Sequence, residues 1–341
     1  MQEAIMTNSS SASRRPGMMD VARLAGVSPQ TVSCVLNDPE SVRPVMREKV
    51  REAMAQLGYR RGSAARSPVA ESTRTIGIVT AGSHFFGPAS TVAAIEIAAR
   101  RVSYASLVIA LNRSLDDEVA EALHFLIARG VDGIIVVAPQ THIVASVERA
   151  AWAVPLVVVA DGFPPGKRIH VVSVDQELGA RTAVGHLLGL GCQSVAHVRG
   201  PLDCFDAAAR VCGWRAAVEE AGAKPGDLLE GDGSPERGYE AGAALVARGL
   251  PDGVFCSNDL MALGVLAALR DRGIRVPEDV AVVGYDDVSG AAFFSPSLTT
   301  VRQPFDEVGR LCMEVLLEAI GGSEGRSHSI SPTLQVRRSS T

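Results

Sequence analysis

From Thr75 onward, short apolar runs alternate with helical stretches, and this alternation limits the fold more than any other feature of the chain. TIGIVTA, SLVIALN, GIIVVAP and VPLVVVAD read as buried strands, with TVAAIEIAARRVSYA and EVAEALHFLIARG as helices between them. A second series follows, made of VVSVD, ARTAVGHLLGLG, SVAHVRGP, WRAAVEEAG, GYEAGAALVARG, GVFCSND, LGVLAALRDRG and VAVVGYDD. Strand and helix in strict succession build a parallel sheet covered by helices on both faces. Two such series predict two doubly wound lobes, for which 341 residues and 47% apolar content are sufficient. The longest apolar runs, Ile134 to Ala138 and Val154 to Ala160, stop at Pro139 and Asp161. Neither approaches the roughly 20 residues of a membrane span, so no membrane partner is expected.

The first 68 residues differ from this body in charge. They hold ten Arg and Lys against six acids, a net of +4, which leaves −9 on the rest of a chain whose total is −5. A basic head on an acidic body predicts a head that meets a polyanion; a plain solvated charge run is the alternative. Residues 1–17, MQEAIMTNSSSASRRPG, lack the apolar core of a signal peptide and read as a disordered polar leader, which points to the cytoplasm. Cys34, Cys192, Cys204, Cys212, Cys256 and Cys312 show no CxxC spacing, so neither a disulfide framework nor a metal site is expected.

Within the head, MDVARLAG carries Val21, Ala22, Leu24 and Ala25 as a helical apolar stripe that stops at Gly26. Glycine there permits the positive φ of a sharp turn. Ser28 suits a helix N-cap and Pro29 the first helical position. The following QTVSCVLN turns Val32, Val35 and Leu36 inward and leaves Gln30, Thr31, Ser33 and Cys34 outward. A third helix is expected from about Arg43 to Leu57, with Val50, Ala53, Met54 and Leu57 on one face. This is the pattern of a helix-turn-helix, whose second helix enters the major groove; a helical hairpin within a larger bundle is the alternative.

DVARLAGVSPQTVSCVLN…VRPVMREKVREAMAQLGY resembles the head of the lactose-repressor/galactose-repressor family of bacterial transcription regulators, and the similarity continues beyond residue 18 over nearly the whole chain. The resemblance implies a small all-α helix-turn-helix head at 18–60, a hinge linker at 61–74 and a bilobal α/β body at 75–341 like the periplasmic binding proteins. Its first lobe would comprise 75–174 and 305–332, and its second 175–304 and 333–341. DNA contact would fall to Ser28, Pro29, Gln30, Thr31, Ser33, Cys34, Asn37, Arg43, Arg66 and Pro68. Implied partners are a near-palindromic double-stranded operator, a small-molecule effector expected to be a sugar, and a second copy of the chain; no cofactor is implied. VRRSST closes the sequence without the heptad-bearing tail of tetrameric members, which points to a homodimer, with Val92, Ile95, Glu96 and Ala99 on a helix the family uses in its subunit contact; packing on its own sheet is the alternative for about half of these residues.

Ligands of open α/β sheets bind beyond the carboxyl ends of the strands. Polar residues stand there at Asp161, Asp175, Asn258, Asp259, Asp286 and Asp287, although a strand-end Asp is often only a helix N-cap, the role expected for Asp259 and Asp287. Arg210 and Trp214 are expected to open the helix after SVAHVRGP. Aligned with the family, the effector set is Phe85, Pro88, Thr91, Asp161, Arg210, Asn258, Asp286 and Phe305. Carboxylates, an amide and a guanidinium suit neighbouring hydroxyls, and Phe85, Phe86 and Phe305 suit a ring face.

Three departures from the family stand out. The position at which a sugar-binding member stacks an aromatic on its ligand is Gly233 here. Cys34 stands where an arginine commonly reads guanine, and Pro68 replaces a leucine that relatives wedge into the minor groove. An enzyme is not expected: GLGCQS follows a helix and lacks a third glycine, no GxSxG, HExxH or P-loop occurs, and the seven histidines stand singly. A transport receptor would need a signal peptide and no basic head. A DNA-architectural protein with vestigial lobes stays open.

Overall fold

The structure, a computed structural model, describes residues 18–37, 41–57, 72–81, 85–111, 116–151, 153–201 and 203–341. The chain divides into two compact units, one ending at Glu71 and the other beginning at Ser72. The expected leader at 1–17 and the linker positions Arg66 and Pro68 lie outside the described residues.

The first unit holds three helices, α1 (Met18–Ala25), α2 (Pro29–Asn37) and α3 (Pro44–Leu57). Gly26 turns the chain between the first two with φ +66°, a backbone angle that a Cβ would penalise. Ser28 caps α2: its Oγ accepts from the Thr31 backbone N–H at 3.1 Å. Val21, Ala22, Val32, Val35, Val50 and Ala53 form the small core. Leu24, expected in that stripe, is 48% exposed. Val21 and Ala22 already fill the narrow contact of so short a helix, and Leu24 falls past its edge.

In the second unit the first lobe's sheet runs β2 (Ala105–Leu111), β1 (Thr75–Ala81), β3 (Gly133–Val137), β4 (Leu156–Val159), β5 (Ile169–Val174) and β11 (Ser327–Ile330), all parallel. Helices α4 (Phe86–Arg101) and α11 (Phe305–Ile320) pack on one face, while α5 (Asp116–Ala128) and α6 (Val144–Ala150) cover the other. The second sheet runs β7 (Lys224–Glu230), β6 (Ser194–Arg199), β8 (Gly253–Cys256), β9 (Ala281–Asp286), β10 (Thr299–Arg302) and β12 (Thr333–Gln335), parallel except for the β10–β12 pair. Its flanking helices are α7 (Gln176–Gly189) and α8 (Phe205–Glu220) on one side, α9 (Pro235–Arg248) and α10 (Asp259–Arg270) on the other. The chain passes between lobes three times, after β5, β10 and β11.

Three local readings change. β7 has no apolar alternation: KPGDLLE forms an edge strand, where Pro225 and polar side chains are tolerated. α8 begins at Phe205, so Arg210 lies a turn inside it, and Trp214 is a core residue whose Nε1 donates to the Val195 carbonyl at 2.9 Å. On α4, Ile95 and Ala99 are fully buried in their own lobe, because that helix must cover its sheet. Its exposed large apolar residue is Ile97.

Asp132 holds the start of the body. It accepts backbone N–H bonds from Thr73 at 2.7 Å and Arg74 at 2.9 Å, together with the hydroxyls of Ser72 and Thr73. Burial raises its pKa, but these hydrogen bonds outweigh it and keep the carboxyl below its ordinary value.

Candidate functional site

The carboxyl ends of both sheets open on one cavity of about 270 Å³. Its wall includes Ala81, Val137 and Asp161 from the first lobe, and Gly200, Ser257, Asn258 and Asp286 from the second. All eight residues aligned with the effector set line it: Phe85, Pro88, Thr91, Asp161, Arg210, Asn258, Asp286 and Phe305. This is where parallel-sheet lobes place a ligand, since strand ends leave side chains and helix N-termini facing outward.

A hydrogen-bonded chain runs along the interlobe crossings. Arg210 is buried, donates from Nε to Gln176 Oε1 at 3.0 Å and from a terminal nitrogen to the Ser257 carbonyl, and lies over the Tyr285 ring at 3.8 Å. Gln176 Nε2 donates to Gln303 Oε1 at 3.0 Å, and Gln303 Nε2 to Asp286 Oδ1 at 2.7 Å. Asp161 accepts the Gln176 backbone N–H at 2.9 Å, and its own N–H donates to Asp206 Oδ1 at 2.8 Å. Burial pushes the carboxyls of Asp206 and Asp286 up to about 6, with Arg210 pulling each back.

Gln176, Asp206, Ser257 and Gln303 escaped the sequence reading. For Asp206 the signal was present: it lies four residues before Arg210, on one face of a helix. Gln176 and Gln303 carried no signal, because they meet only when the crossings come together.

Several expected roles shift. Asn258, not Asp259, caps α10, its Oδ1 accepting from the Met261 N–H at 2.8 Å, while its Nδ2 donates to the Gly233 carbonyl at 2.9 Å. Asp175 caps α7 through the Leu178 N–H. Asp287 is no cap: Arg302 and Arg337 donate to its two oxygens at 2.6 and 2.7 Å. That clamp fixes a turn in which Asp286 and Asp287 both have left-handed φ, +109° and +53°, and so aims Asp286 at the cavity. At Gly233, φ is +95° and an added Cβ would stand 2.9 Å from the Phe85 ring. The Phe85 ring of the first lobe thus stands where a side chain at position 233 would point.

His197 is fully buried, stacked on Phe255 at 4.6 Å, with Nδ1 2.9 Å from the Phe255 carbonyl; burial lowers its pKa to about 3 and keeps it neutral. It is a core residue. Among the described residues no cluster of His, Cys, Asp or Glu has the arrangement of a metal site, and no helix is long and apolar enough to cross a membrane.

On the head, Pro29, Gln30 and Cys34 are exposed on α2, and Thr31 and Ser33 half-buried. The hydroxyls of Ser28 and Thr31 lie 2.9 Å apart. Arg43 is exposed, and its carbonyl receives the first N–H groups of α3. The helix α2 ends at Asn37.

Comparison with known proteins agrees with both units. Residues 17–62 match the model of bacterial regulatory proteins, lacI family, and residues 184–341 that of a periplasmic binding protein-like domain. The lactose operon repressor of Escherichia coli (strain K12) is 33% identical over 328 residues, 95% of this chain and 90% of that one. A crystal structure of the lac repressor dimer bound to operator and the anti-inducer ONPF superposes with a TM-score of 0.88 at 32% identity, covering 96% of this chain and 99% of that one. A complex of the transcriptional regulator CelR with cellobiose gives 0.72 at 30% identity, covering 95% and 100%.

Proposed function

The chain belongs to the lacI family of bacterial regulatory proteins, and from that premise we propose that it is a homodimeric repressor whose operator affinity is set by a sugar in the interlobe cavity. One observation carries the reading: side chains of both lobes line one cavity, and Asp161 of the first lobe is hydrogen-bonded to Asp206 and Gln176 of the second, so a ligand there acts on the lobes' mutual arrangement. The eight aligned residues would hold the ligand. The body would pass its state through Ser72 to Arg74 to the linker at 61–74, and thence to the head at 18–60. Linkage requires that operator binding shift sugar affinity by the same factor. The lac repressor dimer on its operator and the cellobiose complex support this reading by similarity.

In the head, the exposed Gln30 and the half-buried Thr31 are the base-reading candidates, with Ser28, Pro29, Ser33, Cys34, Asn37 and Arg43 beside them and Arg66 and Pro68 serving from the linker. Arg and Lys contacts to phosphate would give salt-dependent affinity; the steep slope known for the lactose repressor is a relative's value and lends only its direction. Two copies would read the halves of a near-palindromic operator. Exposed apolar side chains support the pairing: Ile97, Leu107 and Val108 on α4 and the edge strand β2, and Leu263 and Phe293, the latter 87% exposed, in the second lobe. The reading is of a regulator rather than an enzyme, acting in the cytoplasm where its operator lies.

Operator selection from random DNA, with and without sugars, tests this reading. The expected result is a near-palindrome whose binding changes with one sugar; enrichment of no sequence would overturn it. Cys34→Arg should restore preference for a half-site guanine, worth about 1–3 kcal/mol for a well-made pair. Identical selections by both proteins would remove position 34 from the reading face.

A further inference from the structure

The cavity's charge is one-sided. Asp161, Asp206 and Asp286 converge on it and Asp203 and Asp232 stand at its rim, against Arg210 as the one cation among the described lining residues. That cation is already committed to Gln176, the Ser257 carbonyl and the Tyr285 ring. None of the ion pairs among the described residues joins Arg210 to a carboxylate. Asp161 accepts from Gln176 N and the Ser173 hydroxyl, Asp206 from Asp161 N, and Asp286 from Gln303 Nε2. Oδ2 of Asp206 and Oδ2 of Asp286 have no hydrogen-bond donor among the described residues.

Building on the sugar reading above, we propose that the ligand is a polyhydroxylated amine, an amino sugar in class, whose ammonium group sits among Asp161, Asp206 and Asp286. A neutral hydroxyl can donate to these oxygens but leaves their charge unbalanced. An ammonium brings three donors and a positive charge into a site of low dielectric. A phosphorylated or carboxylated sugar would meet like charges on every side but one. The raised carboxyls of Asp206 and Asp286 fit the same picture, since burial outweighs the pull of Arg210 on each. Phe85 and Phe305 complete the fit with apolar faces, over which a ring or a cation rests favourably.

Calorimetry on the full-length protein at neutral pH, with a panel of hexoses, the matching amino sugars, their N-acetyl forms and phosphorylated hexoses, tests this. The expected result is an amino sugar bound at least about ten-fold more tightly than its own N-acetyl form and its parent hexose. In Asp206→Asn, which keeps the acceptor for the Asp161 N–H, that preference should collapse while thermal unfolding stays cooperative; Asp206→Glu should restore part of it. A neutral or phosphorylated hexose bound as tightly as the amine overturns the charge assignment and leaves the sugar reading standing. Silence across the whole panel, or a melting shift given only by purine bases, overturns both.

Discussion

The first lobe meets the cavity with Phe85, Pro88, Thr91, Val137, Val159 and Phe305, and the second with Asp206, Arg210, Asp232, Asn258 and Asp286. Both lobes are six-stranded sheets with strand ends aimed at the same space, so topology alone would make their walls alike. The difference lies in single strand-end residues. In the first lobe strands end at Ala81, Val137 and Val159; in the second they run into Gly200, Ser257 and Asp286. The fold supplies the place and the strand ends supply the chemistry. On the proposed reading one wall would cover a ring while the other would meet its substituents, and Asp161 is the exception that ties the two.

Removing the guanidinium breaks this division most severely. Arg210→Ala leaves the Ser257 carbonyl and Gln176 Oε1 without their donor and the central acids without their counter-charge. Ligand affinity should fall by about 100-fold or more, near 3 kcal/mol, read by calorimetry. A loss of only a few-fold would mean that the second lobe is not the recognising wall.

The next effect concerns the first lobe's second task, holding the chain that arrives from the head. Asp132→Ala frees four donors, the backbone N–H groups of Thr73 and Arg74 and the hydroxyls of Ser72 and Thr73. The factor by which ligand changes operator affinity should shrink by about 1–2 kcal/mol, with ligand affinity itself unchanged. Anisotropy titrations of labelled operator with and without ligand give that factor. An unaltered factor would move the relay elsewhere.

A smaller change is expected from Phe85→Ala, which strips the apolar wall beside Gly233. Affinity should drop by about 1 kcal/mol, with discrimination among sugar substituents preserved, because discrimination resides in the other lobe. Loss of discrimination would blur the contrast between the walls.

The smallest effect is on stability. Asp206 has a folded pKa near 6, above its unfolded 3.8, so its contribution is complete below about pH 4 and is lost as pH rises through 6. Asp206→Asn removes that loss. The variant's unfolding free energy, read from denaturant melts across pH, should gain on the parent's between about pH 4 and 7 by about 1 kcal/mol after allowing for partial solvent contact. Parallel pH profiles for the two proteins would show that Asp206 stays ionised and compensated.

Much of this architecture was legible before any coordinates. Gly26, Ser28 and Pro29 dictate their turn and cap locally, and the alternation of runs in the body reports a period that only parallel α/β lobes satisfy. β7 was hidden because an edge strand needs no buried face to announce it. Leu24 was misread, and the face with Ile95 and Ala99 was left divided between its own sheet and a partner, for a common reason: a helical stripe says that one side is apolar and not how wide its partner is. At the cavity, Asp161, Arg210, Asn258 and Asp286 were marked by strand ends or by family alignment. Which of their atoms are already occupied was not.

By itself, then, the sequence determined the local elements, the two kinds of domain and the strand ends on which polar groups stand, because helix caps, turns and hydrophobic periods act over a few residues. Only the tertiary structure decided that Gln176 meets Gln303 across 127 positions, that Arg210 is committed to Gln176, Ser257 and Tyr285, and that Phe85 fills the space Gly233 leaves. Those facts depend on how three interlobe crossings bring distant segments to one point. Hydrogen bonding and charge balance at that point are properties of distances in space, which spacing along the chain does not encode.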